Sequence, residues 1–120
     1  MPWNLSSDTP IYLQAADRIK LRILTGQYPP GSYIPSVREL AQEAAVNPNT
    51  MQKALALLES QGLLITHRTT GRRVTESAEL IRCLRLDMAH SHIETCKQNL
   101  KALGFSEEEI QTMMSASEKE

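Results

Sequence analysis

"VNPNT" (Val46–Thr50) sits inside the longer stretch "IPSVRELAQEAAVNPNTMQKALALLESQG" (Ile34–Gly62). It interrupts an alanine- and leucine-rich run that would otherwise continue as one helix. A proline inside a helix removes a hydrogen bond and clashes with the preceding turn, so it marks a boundary. Asn47 can cap a new helix, and Pro48 falls at its first position, where the missing N–H costs nothing. Met51, Ala54, Leu55 and Leu58 then form a buried stripe, and Gly62 ends the helix. On the other side of the break, Ser36 and Glu39 have capping-box spacing, so two unpaired backbone donors are satisfied reciprocally. Val37, Leu40, Ala41 and Ala44 line one face of that helix. Two short helices separated by a few residues predict a helix-turn-helix.

The flanks extend this unit. In "TPIYLQAADRIKLRILTGQYPPG" (Thr9–Gly31), Thr9 is the expected N-cap and Pro10 the expected first helical residue. Tyr12, Ala16, Ile19 and Ile23 repeat at helical spacing, Gly26 stops the helix, and Pro29–Gly31 turns the chain. "SYI" (Ser32–Ile34) has room only for a small edge strand. After the two helices comes "LLITHRTTGRRVTE" (Leu63–Glu76). Leu64, Thr66 and Arg68 alternate with Ile65 and His67, "TTG" makes a turn, and "RRVT" returns as a second strand. A hairpin in this place is a wing. The region of its tip carries Arg68, Arg72 and Arg73.

From Ser77 the pattern changes. Leu86, Ala89, Ile93, Cys96, Leu100 and Leu103 are spaced 3, 4, 3, 4, 3, which predicts one helix of roughly 25 residues. Ile81, Leu84 and Met88 lie beside this stripe, and Gly104 caps it. Ser106 and Glu109 form a second capping box and open a last helix, with the Met113–Met114 pair packing near its end and the tail from Ser115 frayed. The expected architecture is mostly helical with a small β-wing. Residues 1–76 are the winged helix-turn-helix domain and residues 77–120 a helical dimerisation segment.

The bulk numbers bound the function. The chain has 120 residues, 41% hydrophobic and 22% charged, ordinary values for a globular domain. No apolar run spans a bilayer, and the N-terminus has neither the basic nor the apolar region of a secretory signal. Cys83 and Cys96 are too far apart for a CxxC motif, and a reduced cytoplasmic protein is the simplest expectation. The net charge of −1 hides an asymmetry. Through Glu76 there are 8 basic and 6 acidic residues, a balance of +2, and from Ser77 there are 5 against 8, a balance of −3. Charge alone does not suggest a nucleic-acid partner, though local clustering still matters.

The block "IPSVRELA" (Ile34–Ala41) resembles the Leu/Ile-Pro-Ser-x-Arg-x-Leu-Ala signature of the GntR family of bacterial transcription regulators. "PIYLQAADRIKLRILTGQYPPG" resembles the helix that precedes that signature. "NLKALGFSEEEIQTMM" (Asn99–Met114) resembles the short two-helix end of the YtrA subfamily, which lacks a large ligand-binding domain. The resemblance implies a homodimeric DNA-binding regulator, a repressor, acting on a double-stranded palindromic operator, with a transporter operon as target. It places a DNA-contacting arginine at Arg38 and the start of the recognition helix at Pro48, Asn49, Thr50 and Gln52, with Lys53 following. Asparagine and glutamine favour adenine edges. In the wing it implies contacts from Arg68, Thr69, Gly71 and Arg72, with Gly71 on a family glycine. Leu86, Ala89, Ile93, Cys96, Leu100 and Leu103 form the dimer seam that sets the half-site spacing.

Other readings compete. Arg38 is equally an exposed helix residue when the motif is left aside. The polar start of the second helix is also ordinary capping, but its residues crowd the turn and a half that enters a major groove. The wing arginines also suit a protected strand edge. His92 and Cys96 share a helix face, with His90 nearby, yet a third metal ligand is missing, so Cys96 is expected as a buried structural residue and no metal or other cofactor is expected. No phosphate-cradling glycine loop or nucleophile elbow points to an enzyme. Two alternatives stay open: a regulator sensing a metal or a small-molecule effector in its C-terminal helices, and a winged helix that binds protein.

Overall fold

Prolines, glycines and caps divide the chain where the sequence pattern predicts. The computed structural model describes residues 3–118. Its elements are α1 (Ile11–Leu24), α2 (Val37–Ala44), α3 (Pro48–Ser60), β1 (Leu64–His67), β2 (Gly71–Val74), α4 (Ala78–Ala102) and α5 (Glu107–Glu118). The chain divides into two compact units, Met1–Cys83 and Leu84–Glu120.

In the first unit α3 packs against both α1 and α2. Ala15, Ala16, Ile19 and Ile23 of α1, Leu40 of α2, and Met51, Ala54, Leu55 and Leu58 of α3 meet in a core closed by Leu63 and Val74. Each such Ile, Leu or Met contributes about 1.5–3 kcal/mol on burial. The small residues Ala15, Ala16 and Ala54, also buried, let the helices approach closely.

The α2–α3 connection is tight. Ala45 adopts the left-handed region at φ 60°, ψ 46°. Its N–H donates to Gln42 O, and Val46 N–H donates to Ala41 O, closing the end of α2 in the manner usually given to glycine. Asn47 Oδ1 then accepts from Asn49 N–H at 2.7 Å, with Pro48 at the first helical position.

β1 and β2 pair antiparallel, with Leu64, Ile65, Thr66 and His67 opposite Val74, Arg73, Arg72 and Gly71. A bridge from Tyr33 to Arg73 adds the expected edge piece to β2. Gly31 leads into it at φ 80°, where an added Cβ would meet Glu76 Oε1 at 3.2 Å.

α1 starts differently from the expectation. Pro10 is its N-cap and makes no side-chain cap, so Thr9 does not cap. The segment before it is held by Gln14, whose Nε2 donates to Thr9 O at 2.9 Å and to Ser6 O at 2.7 Å. The amide holds the preceding segment by donating to its carbonyls, which is not the role of a capping hydroxyl that accepts from first-turn N–H groups.

In the second unit, Gly104 at φ 98° ends α4. Ser106 and Glu109 form the expected capping box, at 2.9 and 3.1 Å, and Ile110 is buried. α5 stays helical through Glu118, past Ser115 where fraying was expected; residues 119–120 lie outside the described residues. Of the apolar stripe, Leu86 and Ile93 on α4 are 44% and 47% exposed and Leu103, in the turn just after α4, is 74% exposed. Ala89 and Cys96 are exposed as well, and Leu100 is half-buried.

Candidate nucleic-acid interface

α3 presents two unlike faces. Met51, Ala54, Leu55 and Leu58 are buried, while Pro48, Asn49, Gln52 and Lys53 are exposed and Thr50 is half-buried. The outward residues therefore sit on a helix that the core holds rigidly, and their spacing covers the first turn and a half. Lys53 is steered: its Nζ lies 4.1 Å from the centre of the Tyr12 ring on α1, a cation–π contact that fixes the stem without using up the charge.

Arg38 is exposed on the first turn of α2. Its neighbour Glu39 is occupied by the cap, accepting from Ser36 N–H at 3.0 Å. The Ser36 backbone and side chain hold the Glu39 carboxyl below its ordinary pKa. Among the described residues, no carboxylate is ion-paired with Arg38 or Arg68. An open cleft of about 500 Å³ brings Pro35–Glu39 together with Thr70, Gly71 and Arg72, so the start of α2 and the wing tip share one edge of the unit.

The wing arginines separate, and this departs from the sequence reading. Arg68 and Thr69 are exposed at the tip, beside Gly71 at φ 100°. Arg72 turns back toward α3, where its Nε–H donates to Glu59 Oε1 at 2.5 Å. Its side chain is only 15% exposed, so it is not a free tip cation. Burial raises the pKa of the Glu59 carboxyl, but Thr66 and Arg72 outweigh this and hold it below the ordinary range. Arg73 lies on the opposite hairpin face, 4.0 Å from Glu76. The cause is the pleat: Thr66 pairs with Arg72 and Ile65 with Arg73, so adjacent arginines must point to opposite faces.

One cluster was not anticipated from the sequence. Trp3 is 5% exposed, and its Nε1–H donates to Glu43 Oε2 at 2.9 Å. Arg22 stacks over the Trp3 and Tyr28 rings, 5.0 and 5.6 Å from their centres, and is ion-paired with the same Glu43. The cluster ties the N-terminal segment, α1 and α2 together. Arg22 lowers the Glu43 pKa, and Glu43 raises that of Arg22. Its members are 40 and 21 residues apart in sequence, and only the buried end of α1 could have hinted at it.

Cys96 is exposed in the single chain, correcting its expected burial. Among the described residues, no three His, Cys, Asp or Glu side chains gather as a metal site, and no helix is long and apolar enough to cross a membrane.

The family model for bacterial regulatory proteins of the gntR family matches residues 11–74, from the start of α1 to the end of the wing. The chain belongs to the GntR family. It is 38% identical over 107 residues to the HTH-type transcriptional regulator YhcF of Bacillus subtilis, covering 89% of this chain and 88% of that one. It is 44% identical over 73 residues to the HTH-type transcriptional repressor YtrA of the same species, covering 61% of this chain and 56% of that one. The solved structure of a GntR family transcriptional regulator from Listeria monocytogenes superposes with a TM-score of 0.84 at 36% identity. That match covers 93% of this chain and 98% of the other, so the likeness includes the C-terminal helices. This GntR-family chain is a YtrA-like, DNA-binding regulator of transcription.

Proposed function

We propose that the protein is a homodimeric repressor that binds a palindromic operator in the cytoplasm, with residues 1–76 contacting DNA and residues 77–120 joining the two copies. The observation that carries the DNA contact is the division of α3, with Asn49, Gln52 and Lys53 outward while Met51, Ala54 and Leu55 are buried. A helix fixed on one side and polar on the other at its N-terminal turns fits a major groove. Asn49 and Gln52 supply amides for base edges, and Pro48 and Thr50 shape the first turn. Lys53 and Arg38 supply phosphate or guanine contacts. Arg68, with Thr69 and Gly71, supplies the wing's contact to the backbone or adjacent minor groove.

The observation that supports the dimer is the apolar stripe along α4 and the turn after it, exposed at Leu86, Ile93 and Leu103. A second copy laid on the same stripe would also cover Ala89, Cys96 and Leu100. Two linked recognition helices then gain a large effective-concentration advantage on paired half-sites. Repression is carried over from the YtrA relative, and any small-molecule effector would act by altering the α3 spacing across the dimer.

The test is a fluorescence-anisotropy titration on a duplex enriched from random DNA by the protein, compared with the same duplex cut to one half-site. The proposal expects much tighter binding to two half-sites, and a loss of about 1–3 kcal/mol for Arg38→Ala if that side chain makes a bidentate contact. Equal affinity for one and two half-sites overturns the dimeric reading, and unchanged affinity in a folded Arg38→Ala removes Arg38 from the interface.

A further inference from the structure

Glu59 stands at the unfavourable end of α3 for a carboxylate. The C-terminal end of a helix carries partial negative charge, which disfavours an acid there. No basic residue of α3 lies in its last turn to offset this. The compensation comes from the wing, where Arg72 donates Nε–H to Glu59 Oε1 at 2.5 Å, with the two side chains 15% and 30% exposed. Thr66, the register partner of Arg72, lies on the same hairpin face. The backbone of Arg72 makes a further tie, its carbonyl accepting from Ile34 N–H at 3.0 Å, just ahead of the Ser36 cap of α2. One residue thus joins the wing to the end of α3 and to the entry of α2.

We infer that Glu59 is a positioning residue for operator binding: by holding Arg72 it sets the angle of the wing to the recognition helix. This rests on the DNA-binding reading. Glu59 follows Pro48 by 11 residues, about 17 Å along the helix axis, so it acts through the wing rather than on the bases. The pair also neutralises Arg72 and leaves Arg68 as the cation at the tip. At Glu59 the local charge preference of the helix end is violated, and a long-range contact between the two proposed DNA-facing elements resolves it.

The experiment uses the full chain as wild type, Glu59→Gln and the charge swap Glu59→Arg/Arg72→Glu. Hydrogen–deuterium exchange is followed at the amides of residues 64–74. Anisotropy is followed over a salt series on a DNA fragment enriched from a random pool by the wild type. Glu59→Gln should speed wing exchange and weaken DNA binding, each by about fivefold, one charge-assisted hydrogen bond discounted for partial exposure. The slope of log affinity against log salt should stay unchanged, because Glu59 replaces no phosphate contact. The swap should return both readouts toward wild type. Unchanged exchange and affinity overturn the inference, as does faster wing exchange with no loss of affinity. Faster exchange throughout α1 and α2 also overturns it, by showing a merely structural role. A gain in affinity with a slope steeper by about one overturns it in favour of Arg72 being masked from phosphate. If the wild type enriches no fragment, the DNA-binding reading itself fails. The exchange data then still decide whether Glu59 sets the wing, since unchanged wing exchange in Glu59→Gln refutes that by itself.

Discussion

Replacing Ile93 by aspartate should dissolve the proposed dimer. Ile93 lies in the middle of the α4 stripe and is 47% exposed in the single chain. About half of its burial energy is therefore available to an interface, or about 0.8–1.5 kcal/mol per copy. A two-fold interface contains it twice, so about 1.5–3 kcal/mol is lost per dimer. Placing an unpaired polar group in the seam adds about 1–3 kcal/mol per copy, or about 2–6 kcal/mol per dimer. The total, at least about 4 kcal/mol, raises the dimer dissociation constant by roughly a thousandfold or more. Sedimentation equilibrium at micromolar concentration should find wild type as dimer and Ile93→Asp as monomer, with unaltered helix content by circular dichroism. Ile93→Ala should fall between them. A dimer of unchanged strength in Ile93→Asp would place the interface away from the α4 stripe.

Three further outcomes are expected. Ala45→Gly should leave DNA affinity alone and leave stability equal or higher by up to about 1 kcal/mol, since the left-handed conformation costs alanine about that much and glycine returns part of it as unfolded-chain entropy; Ala44→Gly inside α2 should instead lower the melting temperature, and equal losses at both positions would remove the strain at Ala45. Asn49→Ala or Gln52→Ala should change the preferred sequence, whereas Arg68→Ala should weaken all duplexes alike, measured against a panel of operator variants; the reverse pattern exchanges the two roles. Because Arg22 holds the Glu43 carboxyl below its ordinary value near 4.5, the unfolded chain takes up that proton first, and the pair's stabilisation is present above this value and lost as pH falls through the lower folded value. Glu43→Gln should therefore flatten the acid side of the stability curve in denaturant titrations between pH 3 and 6, and an unchanged curve would discount the pair.

Local signals made the helix-turn-helix legible. The Ser36–Glu39 box and the Asn47–Pro48 start act within a few residues, and the structure shows both. The stripe Met51, Ala54, Leu55 and Leu58 is buried as its spacing predicts. What was not legible depends on distant partners. The fate of Arg72 follows from strand register and from Glu59, 13 residues earlier, and basic residues near a turn look alike until the pleat assigns them faces. Trp3 and Glu43 meet only after α1 and α2 have packed. Ala45 carries no sequence mark, because its left-handed turn is usually a glycine's place. Cys96 was expected to be buried because the stripe is apolar, but one chain alone offers nothing to cover it.

Dimeric operator binding is tested most directly by selecting bound fragments from genomic DNA with the purified protein and footprinting the enriched sites. An inverted repeat should be recovered, with its half-sites protected on one face of the duplex. Half-site centres should lie about one helical turn apart or a multiple of it, and affinity should fall steeply with salt. Enrichment of no common sequence, or a single unrepeated site bound by a monomer, would rule out a dimer reading paired half-sites.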